Sequence, residues 1–122
     1  MDESATIAAI ATAPGRAGVA VVRVSGPEAW DIAFAMTRRA SPENAPSVAF
    51  SRVRDASGGL LDECVVLYFR APRSYTGENV VEISCHGGVL LTQNILSAAF
   101  SADQLFFRDF QKHFFFGKMI QH

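Results

Sequence analysis

Between Glu78 and His86 the chain alternates in polarity. Val81, Ile83 and Cys85 fall at one parity and Glu82, Ser84 and His86 at the other, the period-two pattern of a strand with one buried face. A carboxylate, a hydroxyl and an imidazole are therefore expected to point the same way from a rigid element, as a small polar binding site requires. Upstream, Gly18 to Gly26 (GVAVVRVSG) is rich in valine and almost continuously apolar, which predicts a strand covered on both faces. Ser25-Gly26-Pro27-Glu28 follows as a helix start, with proline and an acid in the first turn. Ala29, Trp30, Ile32, Ala33, Phe34 and Met36 then supply a helical apolar stripe. It ends near Arg38-Arg39, where cations favour a helix C-terminus.

The remaining segments are shorter. Thr6 to Ala13 (TIAAIATA) is small and apolar, and Pro14-Gly15-Arg16-Ala17-Gly18 breaks it with turn chemistry. Val48 to Arg54 and Leu61 to Phe69 read as strands joined in hairpin fashion around Asp55-Ala56-Ser57-Gly58-Gly59. Pro72 to Gly77 turns the chain, and after Gly87-Gly88 the residues Leu90, Leu91, Ile95 and Leu96 follow helical spacing. The order of elements predicts an α+β fold: a small mixed, largely antiparallel sheet of about five strands with two to three helices, rather than a regular βαβ arrangement.

Composition narrows the picture. The chain has 122 residues, enough for one domain and an appendage, and 49% of them are hydrophobic. A formal charge of -1 gives no electrostatic reason to expect nucleic-acid binding. Cys64 and Cys85 lie in apolar strand-like runs, with no secretory signal and no apolar run of about 18 residues. The expectation is a cytoplasmic protein with free thiols and no membrane association. Seven of the ten phenylalanines lie between Phe100 and Phe116, and Phe106, Phe107, Phe110 and Phe114 could line one face of a helix. One reading is a C-terminal helix covering the sheet. The preferred reading divides the chain into a domain over 1–91 and a foreign tail over 92–122, as a frameshift or truncated frame would produce. On that reading the tail is dispensable for folding and harmful to solubility.

Two long motifs carry a resemblance. DESATIAAIATAPGRAGVAVVRVSG (Asp2 to Gly26) and PRSYTGENVVEISCHGG (Pro72 to Gly88) resemble, in the right order, the signatures of the N-terminal domain of the tRNA modification GTPases, the MnmE/TrmE family. The hairpin between them fits in spacing and character, so the likeness covers about residues 4 to 91. It implies a fold similar to folate-binding aminomethyltransferase-type domains, homodimerisation, and binding of formyl-tetrahydrofolate as a one-carbon source. It also implies, for full-length members, GTP hydrolysis with magnesium and potassium. Such members act with a flavoprotein partner, MnmG/GidA, on the wobble uridine of certain tRNAs. A P-loop needs G-x-x-x-x-G-K-S/T. Here Gly117-Lys118 is followed by Met119, with Lys112 where the first glycine belongs, so no guanine-nucleotide binding is expected of this chain alone.

Individual residues carry the candidate chemistry. Arg23 interrupts an apolar strand, and a guanidinium there needs a partner. Its planar fork suits a carboxylate or carbonyl, and an ion pair with an acid on a neighbouring strand, Glu82 among them, would also satisfy it. Glu82 sits among β-branched neighbours, and a carboxylate can accept paired N–H bonds from an aminopyrimidine edge. By resemblance, Arg23 and Glu82 are the folate contacts. Tyr75 could pack on a ligand, although Ser74 to Glu78 is first a turn. Adjacent residues of a strand point to opposite faces, so Cys85 and His86 are not expected to chelate one metal. His86 is expected to anchor a loop by hydrogen bonding, and neither a catalytic nor a metal-binding residue is expected. The alternatives that stay open are a purely structural dimerisation module and an inert remnant without ligand binding.

Overall fold

The computed structural model describes residues 6–11, 18–38, 47–74 and 76–107, the last four by backbone alone. Among these residues five strands form one sheet: β1 (Ile7–Ile10), β2 (Val19–Ser25), β3 (Val48–Arg54), β4 (Leu60–Phe69) and β5 (Val80–His86). The same residues include two helices, α1 (Ala29–Thr37) and α2 (Val89–Phe107). The order across the sheet is β1-β2-β5-β4-β3, and every neighbouring pair is antiparallel. The α+β class and the five-stranded sheet follow the sequence pattern.

Both helices lie against one face of the sheet. α1 contacts β3 and β5, α2 contacts β1, β2, β4 and β5, and the two helices touch each other. That layer encloses Val22, Val24, Val66, Val81 and Ile83 from the strands with Ile32, Phe34, Ile95 and Leu96 from the helices. Trp30 and Phe34 pack on the Tyr68 ring at centroid distances of 6.0 and 5.3 Å, and Trp30 Nε1 donates to the Phe69 carbonyl at 3.3 Å. These contacts couple α1 to the C-terminal end of β4.

The opposite face carries no helix among the described residues. Among the described residues, then, helices cover one side of β2 only, where its valine-rich sequence had predicted cover on both. Val22 and Val24 are fully buried, whereas Val19 is 56% exposed. The apolar run misled because the outward valines rest on a half-covered sheet surface, where branched side chains are also favoured.

The turns follow local chemistry. Asp55 Oδ1 accepts from the Ser57 and Gly59 backbone N–H groups at 3.0 and 2.8 Å, an Asx-type closure of the β3–β4 hairpin. Gly58 sits there at φ +93°, a conformation that side chains rarely adopt. Gly88, at φ +130°, lets the chain leave β5 and enter α2, where Thr92 Oγ1 donates back to its carbonyl at 2.6 Å.

The expected division at residue 91 falls inside α2. Thr92, Ile95, Leu96, Ala98, Ala99 and Ala102, all beyond it, are buried, so the core draws on both sides of that position. Phe110 and Phe114 to Phe116 lie outside the described residues, as does the Pro14 to Ala17 turn. Leu96→Ala should lower unfolding stability by about 2–5 kcal/mol, the usual cost of emptying a buried leucine site. Urea unfolding followed by circular dichroism measures it, and an unchanged midpoint would place α2 outside the cooperative core.

Candidate functional site

Register places the two predicted site residues together. In the antiparallel β2–β5 ladder Arg23 is directly opposite Glu82, with Val21 opposite Ser84 and Val19 opposite His86. Directly opposed residues share a face, so Arg23, Glu82, Ser84 and His86 lie on the helix-free side. Arg23 Nε donates to Glu82 Oε2 at 2.9 Å, and Nη2 approaches the same oxygen at 2.8 Å. Among the described residues no donor is bonded to Glu82 Oε1. The two side chains are 28% and 20% exposed, sheltered enough to strengthen the pair and open enough to be reached. Leu67 of β4 flanks Glu82, and Ala9 of β1 flanks Arg23.

A second polar contact closes the end of the sheet. Asp62 of β4 accepts from the His86 backbone N–H at 2.9 Å, and its carboxylate lies 2.9 Å from His86 Nδ1. His86 thus anchors the strand end before Gly87-Gly88, as its position had suggested. Its partner was not foreseen, although an acid two residues into a strand-like apolar run was a signal to ask where it is satisfied. Burial opposes ionisation of Asp62, yet the His86 backbone and ring hydrogen bonds outweigh it and hold the carboxyl below its ordinary 3.8. Beside it, Cys64 Sγ lies 3.7 Å from Asp62 Oδ2. Burial and the Asp62 charge push the Cys64 thiol up to about 12, and burial also raises Cys85. Both cysteines are free and buried, poor nucleophiles by pKa and access alike.

Other expected groups fall elsewhere. Tyr75 lies outside the described residues. Ser25, at the end of β2, is tied to the turn before β5 by hydrogen bonds to Thr76 Oγ1 at 2.7 Å and Glu78 Oε1 at 3.3 Å. Among the described residues no three His, Cys, Asp or Glu side chains cluster as a metal site would require, and no helix is long and apolar enough to cross a membrane.

A sheet layer backed by helices on one side, with an ion-paired polar row on the other, defines a two-layer α+β domain rather than a nucleotide-cradling βαβ unit. The chain belongs to the family described as GTP-binding protein TrmE N-terminus, whose pattern matches residues 6–109. That match takes in all of α2. A tRNA modification GTPase MnmE from a Ruegeria species is 50% identical over 93 residues, 76% of this chain and 21% of the relative. Its counterpart from Acinetobacter baumannii is 48% identical over 100 residues, covering 82% and 22%. That from Akkermansia muciniphila is 47% identical, covering 78% and 22%. The chain therefore spans about a fifth of the length of the curated relatives it matches.

Asp62 yields a pH prediction. A carboxyl whose folded pKa is depressed stabilises the fold above its ordinary value, here 3.8, and loses that contribution as pH falls through the folded value. Asp62→Asn should cost about 1–3 kcal/mol at pH near 7 and much less in strong acid, where the native carboxyl is protonated too. Urea unfolding at both pH values checks this. An equal loss at both would contradict the charge-based account.

Proposed function

We propose that this chain is the folate-binding and dimerising N-terminal part of a tRNA modification GTPase that acts on the wobble uridine. Arg23 and Glu82 hold the pterin end of a formyl-tetrahydrofolate. The observation that carries the reading is the Arg23–Glu82 pair, with its second carboxylate oxygen unbonded among the described residues, on the uncovered sheet face. A 2-aminopyrimidin-4-one edge presents two N–H donors beside a carbonyl acceptor. A carboxylate next to a guanidinium is complementary to it: Glu82 accepts the N–H pair while Arg23 donates to the oxygen. The pair is held in place before the ligand arrives, which reduces the ordering cost of binding.

Membership of the family and the description of its relatives as tRNA modification GTPases support the wider assignment. In this reading GTP hydrolysis, with its magnesium and potassium, and the flavoprotein MnmG/GidA belong to the part of the protein beyond this fifth. The protein works in the cytoplasm. Homodimerisation draws on apolar surface at one end of the sheet. Val89 and Leu90, 71% and 74% exposed, follow β5 there, and exposed Val19 lies opposite His86.

Isothermal titration of the chain with a formyl-tetrahydrofolate tests the site. Arg23→Ala and Glu82→Ala should each weaken binding by at least about tenfold, the lower range for losing a charge-assisted contact. His86→Ala should leave it unchanged. Equal affinity in all three variants would remove Arg23 and Glu82 from the site.

A further inference from the structure

An arginine cluster lies at the opposite edge of the sheet, away from the Arg23–Glu82 pair. Edge strand β3 and the C-terminus of α1 border a cleft of about 620 Å3, lined by Arg38, Phe50, Arg52, Arg54 and Glu63 among others. Three cations face one anion there. Arg52 Nε is 3.3 Å from Glu63 Oε2, and both side chains are largely exposed, so this pair is weak and readily exchanged for a stronger anion. Among the described residues no carboxylate pairs with Arg38 or Arg54. Arg54 is bonded at the hairpin tip, and the Arg38 guanidinium lies close beside it. Arg54 Nη1 donates to the Gly58 carbonyl at 3.0 Å, and a Cβ on Gly58 would lie 3.3 Å from Arg38 Nη2. Asp55, the nearby acid, is occupied by Ser57 and Gly59.

Phe50 adds a second kind of chemistry. It is 70% exposed and two residues from Arg52 on the same strand, so ring and guanidinium share the outward face. An exposed aromatic beside several arginines is the pattern by which proteins hold unpaired RNA, with phosphates on the cations and a base stacked on the ring.

We infer that this cleft is an RNA-binding surface that takes a single-stranded loop, its phosphodiester backbone on Arg38, Arg52 and Arg54 and one base on Phe50. The inference deepens the proposed function and rests on it for the choice of RNA over other polyanions. The net charge of -1 does not oppose it, because exposed charges beyond about 10 Å are screened at physiological salt while those lining the cleft act at contact.

Fluorescence anisotropy with a labelled RNA hairpin bearing an unpaired loop, alongside a fully paired duplex of the same stem, tests it. The hairpin should bind more tightly than the duplex. Three phosphate contacts should make affinity fall about 20-fold between about 50 and 200 mM salt. Arg52→Gln with Arg54→Gln should reduce affinity and flatten that salt dependence. Phe50→Leu should weaken hairpin binding about tenfold while sparing the duplex. Arg23→Ala should leave RNA binding intact, and the double arginine variant should leave formyl-tetrahydrofolate binding intact, so the two sites can fail separately. Absence of hairpin binding, or binding unaffected by the arginine changes, would overturn the inference. So would a Phe50→Leu variant that loses self-association on sizing while keeping its affinity for the hairpin.

Discussion

The Arg23–Glu82 pair at the centre of the sheet depends on the register of β2 against β5. Arg23 stands opposite Glu82 only because Val22 stands opposite Ile83 and Val24 opposite Val81, and those four are fully buried. Since side chains alternate at a period of two, a one-residue slip of either strand would turn a charge into the core and bring a branched apolar residue out. Neither exchange is tolerable, so core packing and ion pair fix the same alignment. The site residues sit on the most constrained strands of the sheet, while the surface they face stays open.

Among the described residues the helices cover one face only, and that is what leaves the other surface available. α1 and α2 both lie on the side of Val66 and Ile83, leaving the other side to Arg23, Glu82, Ser84 and His86 near its centre and to Phe50 and Arg52 at its edge. Two ion pairs lie on this face, and a third contact reaches around the sheet end from His86 to Asp62, which shares the parity of buried Cys64. Arg23 meets Glu82, His86 meets Asp62 at the sheet end, and Arg52 meets Glu63. These pairs differ in shelter, from the partly buried Arg23–Glu82 contact to the exposed Arg52–Glu63 one, and shelter decides how strongly each holds its geometry.

Much of this was legible in the sequence. The parity of Val81, Ile83 and Cys85 against Glu82, Ser84 and His86 gave β5 and its outward row, and the stripe from Ala29 to Met36 gave α1 with its buried side. The Asp55 to Gly59 turn was marked by residues whose side chains close hairpins. The coverage of β2 was misjudged because valine is equally at home in a core and on a half-covered sheet surface. The extent of α2 was obscured by phenylalanines that looked too numerous for a small sheet, while the smaller residues Ala98, Ala99 and Ala102, which pack against the core, carry little hydrophobic signal of their own. The Asp62–His86 contact and the meeting of Arg38 with the hairpin join residues 24 and 20 positions apart, and no local period announces such pairs. Phe50, Arg52 and Arg54 did stand at alternate positions of one strand, a signal that the near-neutral overall charge concealed.

The central claim is that the uncovered face around Arg23 and Glu82 receives the ligand. Amide and side-chain chemical shifts of the isotopically labelled chain, followed by NMR as a formyl-tetrahydrofolate is added, test it most directly. The account predicts that the largest changes fall on the Arg23 Nε–H and on the backbone amides from Val21 to Arg23 and from Glu82 to Ser84, with the α1 and α2 amides nearly still. Changes concentrated on the helices, or a spectrum that does not move at ligand saturation, would contradict it.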